Sequence, residues 1–296
     1  MILLPLFLMM QGTMLQPGAN PSPQTESELP IPRRKSEKSA SAPAPVAAPL
    51  PIAMQDRLAL CLAKVRIDPD GAAKDAMAWI AESPRAEAQH DAKLCLGIAL
   101  ASLQRWEAAE QTFTGLSLET PVATGGEDAI AYRALAGTAA LAGGFPERAI
   151  VWLDQAAAGG DALPPAQLGG IQIDRARALV ALERPEEAKK ALDEVHRLLP
   201  DDSEGWLLSA TLLRRQRDLV AAQKDIEKAA ALDPLDPAIG LEAGVIAMLD
   251  GREPAARKSW DSVIATAPDS NEARIAKGYL EQIGPKEATP AEPARP

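Results

Sequence analysis

Between residues 203 and 236, apolar residues recur at the spacing of two consecutive amphipathic helices. Trp206, Ala210 and Leu213 are separated by four and three residues, so they share one face of a first helix. The second half of the segment has the same helical spacing of apolar residues: Ala222, Ile226, Ala229 and Ala230. A polar turn at Arg217-Asp218 lies between the two halves. The pattern therefore predicts a pair of helices joined by a short turn.

The same unit recurs along the chain. Proline recurs at 34-residue intervals, at Pro200, Pro234 and Pro268, where it would stop a helix because it has no N–H to donate. Five units carry a small residue in one slot of the first helix: Gly97, Gly137, Ala176, Ala210 and Gly244. In the second helix the same units carry a small slot: Ala109, Ala149, Ala188, Ala222 and Ala256. Four residues later they carry a bulky slot: Phe113, Leu153, Leu192, Ile226 and Trp260. A fixed period of this length predicts a stacked array, because one unit is too small to bury its own apolar face.

The array is predicted to occupy residues 54–284 as an all-α solenoid of about six helix pairs. The pairs are expected at 53–86, 90–123, 130–163, 169–202, 203–236 and 237–270. Short insertions, Thr124–Asp128 and Pro164–Leu168, are expected between the earlier units. One more helix, 271–284, is predicted to begin at an N-cap, Asn271, and to end the stack with a polar face.

This arrangement of small, bulky and proline positions resembles the tetratricopeptide-repeat family. The resemblance covers about residues 54–284 and is strongest over 203–236. The family's first-helix tyrosine is replaced here by other residues: Leu100, Ala140, Leu179, Leu213 and Ala247. The resemblance implies a right-handed superhelix of antiparallel helix pairs with a concave groove, which the predicted helix 271–284 would cap at its C-terminal end. It also implies a scaffold or adaptor rather than an enzyme.

The resemblance further implies which residues line the groove. They are first-helix residues on the face away from the second helix: Leu94, Ile98, Ile173, Arg177, Val180, Leu207, Thr211, Arg214, Arg215, Leu241, Val245, Met248 and Leu249. The lining is mainly aliphatic, which suits an amphipathic helix or an extended peptide of a protein partner. Arg177, Arg214 and Arg215 form a basic edge that could pair with the partner's carboxylates. The alternative is that a tight superhelix, the chain's own N-terminal segment or a second copy covers these residues.

Charge excludes one class of partner. The formal net charge is −10, and residues 1–53 and 285–296 contribute almost nothing to it, so the repeats are acidic. Nucleic acid is not expected to bind, because a phosphate backbone needs a basic surface.

The two cysteines, Cys61 and Cys95, lie on predicted helices of successive units. They form no CxxC motif or metal-ligand cluster. One interpretation is a single disulfide between them. The favoured interpretation is two small, buried apolar side chains without a bond between them.

The N-terminal residues predict export. Residues 1–10 are almost wholly apolar, too short to span a membrane but typical of the core of a signal peptide. We expect a signal peptide over residues 1–19, which places the protein in the periplasm or another exported compartment; a cytoplasmic protein is the alternative. Residues 20–53 are rich in proline, serine and alanine and predict a disordered linker. The tail, 285–296, is expected to be disordered for the same reason.

No motif for catalysis, cofactor or metal binding is present in the sequence, and no cofactor is expected. The two histidines, His90 and His196, fall at predicted helix ends and are interpreted as structural. The predicted function is therefore a protein–protein interaction scaffold in the bacterial cell envelope. Three alternatives remain: a cytoplasmic adaptor, a self-associating assembly subunit, and an enzyme subunit with an unrecognised site.

Overall fold

The computed structural model describes residues 57–120, 126–160 and 163–285, without the side chains of 86–88. Thirteen α-helices and no strands are found in these residues. The helices are α1 (Arg57–Val65), α2 (Pro69–Glu82), α3 (Ala86–Ser102), α4 (Trp106–Glu119), α5 (Glu127–Ala142), α6 (Pro146–Ala158), α7 (Pro165–Ala181), α8 (Pro185–Leu198), α9 (Ser203–Arg215), α10 (Leu219–Leu232), α11 (Pro237–Leu249), α12 (Glu253–Thr266) and α13 (Asn271–Gln282). The predicted signal peptide, the linker, and the tail beyond residue 285 lie outside this part of the chain.

The six predicted helix pairs and the final single helix are confirmed. From α3 to α12 each first helix packs against its second helix, and successive pairs stack in chain order. The insertion predicted at Pro164–Leu168 is wrong, because α7 already begins at Pro165. Proline is well suited to that first helical position, where its missing N–H would have no partner in any case. Glu127 and Asp128, also assigned to an insertion, form the first turn of α5.

In the three pairs whose first-helix slot is glycine, the small and bulky residues predicted from the period pack against each other. A Cβ built on Gly137 would lie 2.6 Å from Cγ of Leu153, and one on Gly97 would lie 2.5 Å from Cε1 of Phe113. Leu153 is fully buried and Phe113 is nearly so. The small residue therefore sets how closely the two helices of a pair approach.

Five turns between paired helices share one backbone motif. The third N–H past each first helix bonds back to a carbonyl five residues earlier, as in Asp218 N–H to the Leu213 carbonyl at 3.0 Å. The residue before it has a positive φ in every case: Gln104, Gly144, Glu183, Arg217 and Gly251. This is a Schellman motif, which satisfies the last carbonyls of the first helix. Only two of the five residues are glycine, so composition alone does not identify the motif.

Side-chain caps begin several helices. Asp202, Asp218 and Asp236 each accept a hydrogen bond from a backbone N–H of the first turn that follows, for example 2.7 Å from Gly205 N to Asp202. At α13 the N-cap is Ser270, which accepts from Ala273 N at 3.0 Å. The prediction of Asn271 as N-cap is wrong by one residue, because Ser270 has the extended backbone that a cap requires and Asn271 is already helical.

The two cysteines form a disulfide, so the favoured interpretation of unlinked cysteines is wrong. Cys61 lies on α1 and Cys95 on α3, with their Cα atoms 6.2 Å apart. That separation is within the usual range for a disulfide. The sequence left the pairing open because it does not state which faces of two successive first helices meet.

No helix among those described has the length and apolar character that crossing a bilayer demands.

Candidate functional site

The predicted lining residues differ in how much surface they offer. Leu94, Ile98 and Ile173 are buried, with at most 8% of each residue exposed. The following residues are partly buried: Val180, Leu207, Thr211, Arg214, Leu241, Val245 and Met248. Arg177 and Arg215 are exposed, as is Leu249 at 45%. The accessible part of the predicted lining therefore lies on α7, α9 and α11 rather than on α3.

A polar network joins the first helices α5, α7 and α9. The Thr138 hydroxyl on α5 donates to the Asp174 carboxylate on α7 at 2.6 Å. Arg177 pairs with Asp174 at 2.9 Å and also with Glu204 on α9. Asp174 is only 4% exposed, so its charge is held by these partners rather than by water. The network fixes three successive repeats against one another along the first-helix surface.

A second ion pair joins α9 to α11. Nε of Arg214 donates to the Glu242 carboxylate at 2.5 Å, and the two side chains are 21% and 13% exposed. Two of the three predicted basic residues, Arg177 and Arg214, thus already have carboxylate partners in this chain. Arg215 is exposed and makes no ion pair with a described residue.

Sequence reasoning missed the carboxylates of these networks. Asp174 and Glu242 each lie two residues before the small first-helix slot, at Ala176 and Gly244. An acidic residue two positions before the small slot, found in both units, is the signal that could have identified them.

The helix α11 is the most apolar of the first helices. Its single ionisable residue is Glu242, which is paired with Arg214. Leu241, Val245 and Met248 pack partly against the core that α11 shares with α12 and α13. Leu207 on α9 packs partly against the core shared with α10 and α11. We call Leu207, Leu241, Val245, Met248 and Leu249 the apolar strip.

Both histidines contact aromatic rings. His196 stacks on Trp206 with ring centroids 3.7 Å apart and planes at 9°. The indole N–H of Trp206 donates to the Pro200 carbonyl at 2.9 Å, while the buried Nε2 of His196 has no hydrogen-bond partner. His90 meets Tyr132 edge to face at 5.1 Å. Burial raises the pKa of the Tyr132 phenol, and the carboxylates of Asp128 and Asp91 raise it further. The first contact joins α8 to α9, and the second joins α3 to α5.

No group of three or more His, Cys, Asp or Glu side chains in the described ranges is placed to hold a metal ion. An open depression lies between α12 and α13 at the C-terminal end of the stack. It is lined by Pro254, Arg257, Lys258, Asp261, Leu280, Glu281, Gly284 and Pro285. Arg257 spans it and donates to Glu253 and to the Ile283 carbonyl, which ties α12 to the end of α13.

Comparison with known proteins identifies the repeat. Residues 169–212 match the family model of the tetratricopeptide repeat. No curated protein matches the chain in sequence.

Several solved structures have the same fold. PilF of Pseudomonas aeruginosa superposes with a TM-score of 0.58 at 16% identity, covering 75% of this chain and 96% of that one. Acl4, an assembly chaperone of RpL4, gives 0.55 at 15% identity, covering 76% and 94%. TTC0263, a TPR protein of Thermus thermophilus, gives 0.52 at 19% identity, covering 64% and 97%. These likenesses confirm the expected all-α, right-handed superhelical solenoid.

Proposed function

We propose that this chain, a tetratricopeptide-repeat protein, is a protein–protein interaction scaffold that binds a partner peptide or helix along the apolar strip. The observation that carries the proposal is the character of α11. Its one ionisable side chain is neutralised by Arg214, and the rest of the helix is apolar or glycine. A helix that is apolar on all sides is typical of a buried element. Leu249 is nevertheless 45% exposed, at the end of a strip whose other members are partly exposed.

The strip favours a partner with an apolar face. An amphipathic helix or an extended peptide could place aliphatic or aromatic side chains between α9 and α11. Pairing of the partner's carboxylates is proposed for Arg215 alone. Arg177 and Arg214 would have to give up Asp174, Glu204 or Glu242, and an unpaired buried carboxylate is costly.

The proposal is tested by capture from the native cell with three variants of the full chain beside wild type. The double variant Leu207→Asp/Leu241→Asp places two charges in the strip. The single variant Leu249→Asp places one charge at the most exposed residue of the strip, where a substitution disturbs folding least. Val220→Asp is the matched control, because Val220 is 83% exposed in the first turn of α10, where an acid is tolerated.

Folding of each form is checked by circular dichroism before capture. A partner kept by wild type and Val220→Asp but lost by Leu249→Asp supports the strip, and its affinity is then measured by titration of the purified partner. Equal capture by all folded forms would contradict the proposal and show that the partner binds outside the apolar strip. Sizing of wild type at several concentrations separates a second copy from a foreign partner, because only self-association is lost on dilution in the purified sample.

We also propose that the protein works in an exported, oxidising compartment of the cell envelope. Two observations support this location: the apolar run at residues 1–10 and the disulfide between Cys61 and Cys95. N-terminal sequencing of the native protein, combined with cell fractionation, tests it. An intact Met1 in a cytoplasmic fraction would contradict the proposal. No catalytic role is proposed.

A further inference from the structure

The disulfide lies in a seam between successive first helices. The first-helix slot lies twelve residues before the small slot of the second helix, as Gly97 does before Ala109, so counting back from the buried Ala72 of α2 places it at Leu60 in α1. Cys61 follows that slot by one residue, and Cys95 in α3 precedes Gly97 by two. Thr138 and Asp174 have the same offsets from Gly137 and Ala176, and they form the hydrogen bond between α5 and α7. The disulfide is thus the covalent form of a contact that elsewhere in the array is polar.

The first helix of the array buries little of its surface. The helix α1 is nine residues long, and Leu58 and Val65 are its buried residues. An ion pair to α2, between Lys64 and Asp75 at 2.7 Å, joins side chains that are 38% and 63% exposed. Exposed pairs of this kind contribute little, and a helix of this length is unstable by itself in water.

We propose that the Cys61–Cys95 disulfide is a redox-sensitive link that holds the first helix pair on the array, so that reduction releases α1 while the later repeats stay folded. The array then has six packed helix pairs when the disulfide is intact and five when it is reduced. This inference concerns the chain itself and does not depend on the proposed partner.

The accessibility of the two sulfurs sets the order of the exchange. Cys95 is fully buried, whereas Cys61 is partly exposed. A thiolate of a reducing dithiol therefore attacks Cys61, forming a mixed disulfide, and Cys95 leaves as a thiolate that takes up a proton. The second thiol of the dithiol then attacks the mixed disulfide and closes its own disulfide. Cys61 leaves and is protonated, so the chain gains two electrons and two protons and the dithiol loses them.

Local release is distinguishable from global unfolding because each repeat contacts its neighbours alone. Cys95 is buried in the oxidised form, so release of α1 would expose its thiol to alkylation. The core around Ile226, shared by α9, α10 and α11, lies several repeats away. It should keep its protection when the first pair opens.

The test is amide hydrogen exchange of the purified full chain with and without dithiothreitol, read by mass spectrometry. Reduction should speed exchange of peptides in 57–65 by at least tenfold, make Cys95 reactive towards iodoacetamide, and leave peptides in 203–232 unchanged. The variant Cys61→Ser should resemble the reduced wild type and show no response to dithiothreitol. Unchanged exchange of 57–65 on reduction would overturn the proposal. Equal loss of protection in 203–232 would also overturn it, because the disulfide would then support the whole fold.

Discussion

The backbone of Gly244 on α11 lies directly against the indole ring of Trp260 on α12, so that a Cβ at position 244 would overlap the ring. Trp260 is 2% exposed, and its Nε1 donates to the Leu241 carbonyl at 3.2 Å, one turn before the glycine. The tryptophan is thereby fixed by a hydrogen bond as well as by packing. It can yield little space to a larger neighbour.

Gly244→Ala is therefore expected to destabilise the protein, although alanine is the better helix former. Overpacking of a rigid core typically costs about 1–3 kcal/mol. The free energy of unfolding, measured by urea denaturation, should fall by an amount in that range. Gly278→Ala is the control, because a Cβ there meets no atom within 4 Å. That change should stabilise α13 by about 0.5–1 kcal/mol. Equal effects at the two sites would contradict the close packing.

The Schellman turn at Arg217 predicts a stabilising substitution. Arg217 has a φ of 67°, a conformation in which a Cβ is strained by roughly 1 kcal/mol or more. Arg217→Gly should raise the free energy of unfolding by up to about 1 kcal/mol, since relief of strain exceeds the added freedom of the unfolded chain. Gln216→Gly is the comparison: its φ is −77°, so glycine brings no relief there and should destabilise. A loss of stability in Arg217→Gly would show that the turn is not strained.

The ion pair between Arg214 and Glu242 should matter more than surface pairs do. Its side chains are largely shielded from water, so Glu242→Gln weakens a charge-assisted contact and should cost about 1–3 kcal/mol. Lys189 and Asp193 form an exposed pair four residues apart on α8. Asp193→Asn should therefore change stability by less than about 0.5 kcal/mol. Thermal melts of both variants at low and high salt check the difference, and similar costs would contradict it.

The stack of His196 on Trp206 predicts opposite effects of two substitutions. His196→Phe keeps a flat ring over the indole and removes the buried, unpaired Nε2, whose burial without a partner costs about 1–3 kcal/mol. The melting temperature should rise. His196→Ala removes the stack and should lower it. A lower melting temperature in both variants would indicate that Nε2 has a partner in solution.

Particular residues show how far the fold could be predicted. The small and bulky slots, such as Gly137 and Leu153, were identified because a helix repeats its faces every three to four residues. The turns were less predictable: Gln104, Glu183 and Arg217 adopt a backbone that usually indicates glycine. In each of these turns the two flanking helices determine the backbone conformation, and the residue adopts a strained positive φ.

The apolar strip is a prediction that helical spacing supports, whereas the ion pairs beside it could not be predicted. Leu241, Val245 and Met248 follow from helical spacing, because the residues of one face are close in sequence. Glu204 and Glu242, which pair with Arg177 and Arg214, are not close to them in sequence, because each lies on the next first helix along the chain. They meet only when successive pairs stack in one particular register.

By itself the sequence determined the six helix pairs, the final helix and the small and bulky residues that join each pair, because these depend on contacts within about one repeat. The tertiary structure decided the contacts between repeats. Cys61 pairs with Cys95 across 34 residues, and Asp174 is buried beside Thr138 across 36. Both contacts depend on how one helix pair is rotated and shifted against the next. That orientation is set by the packing of many side chains together, and no short stretch of sequence contains it.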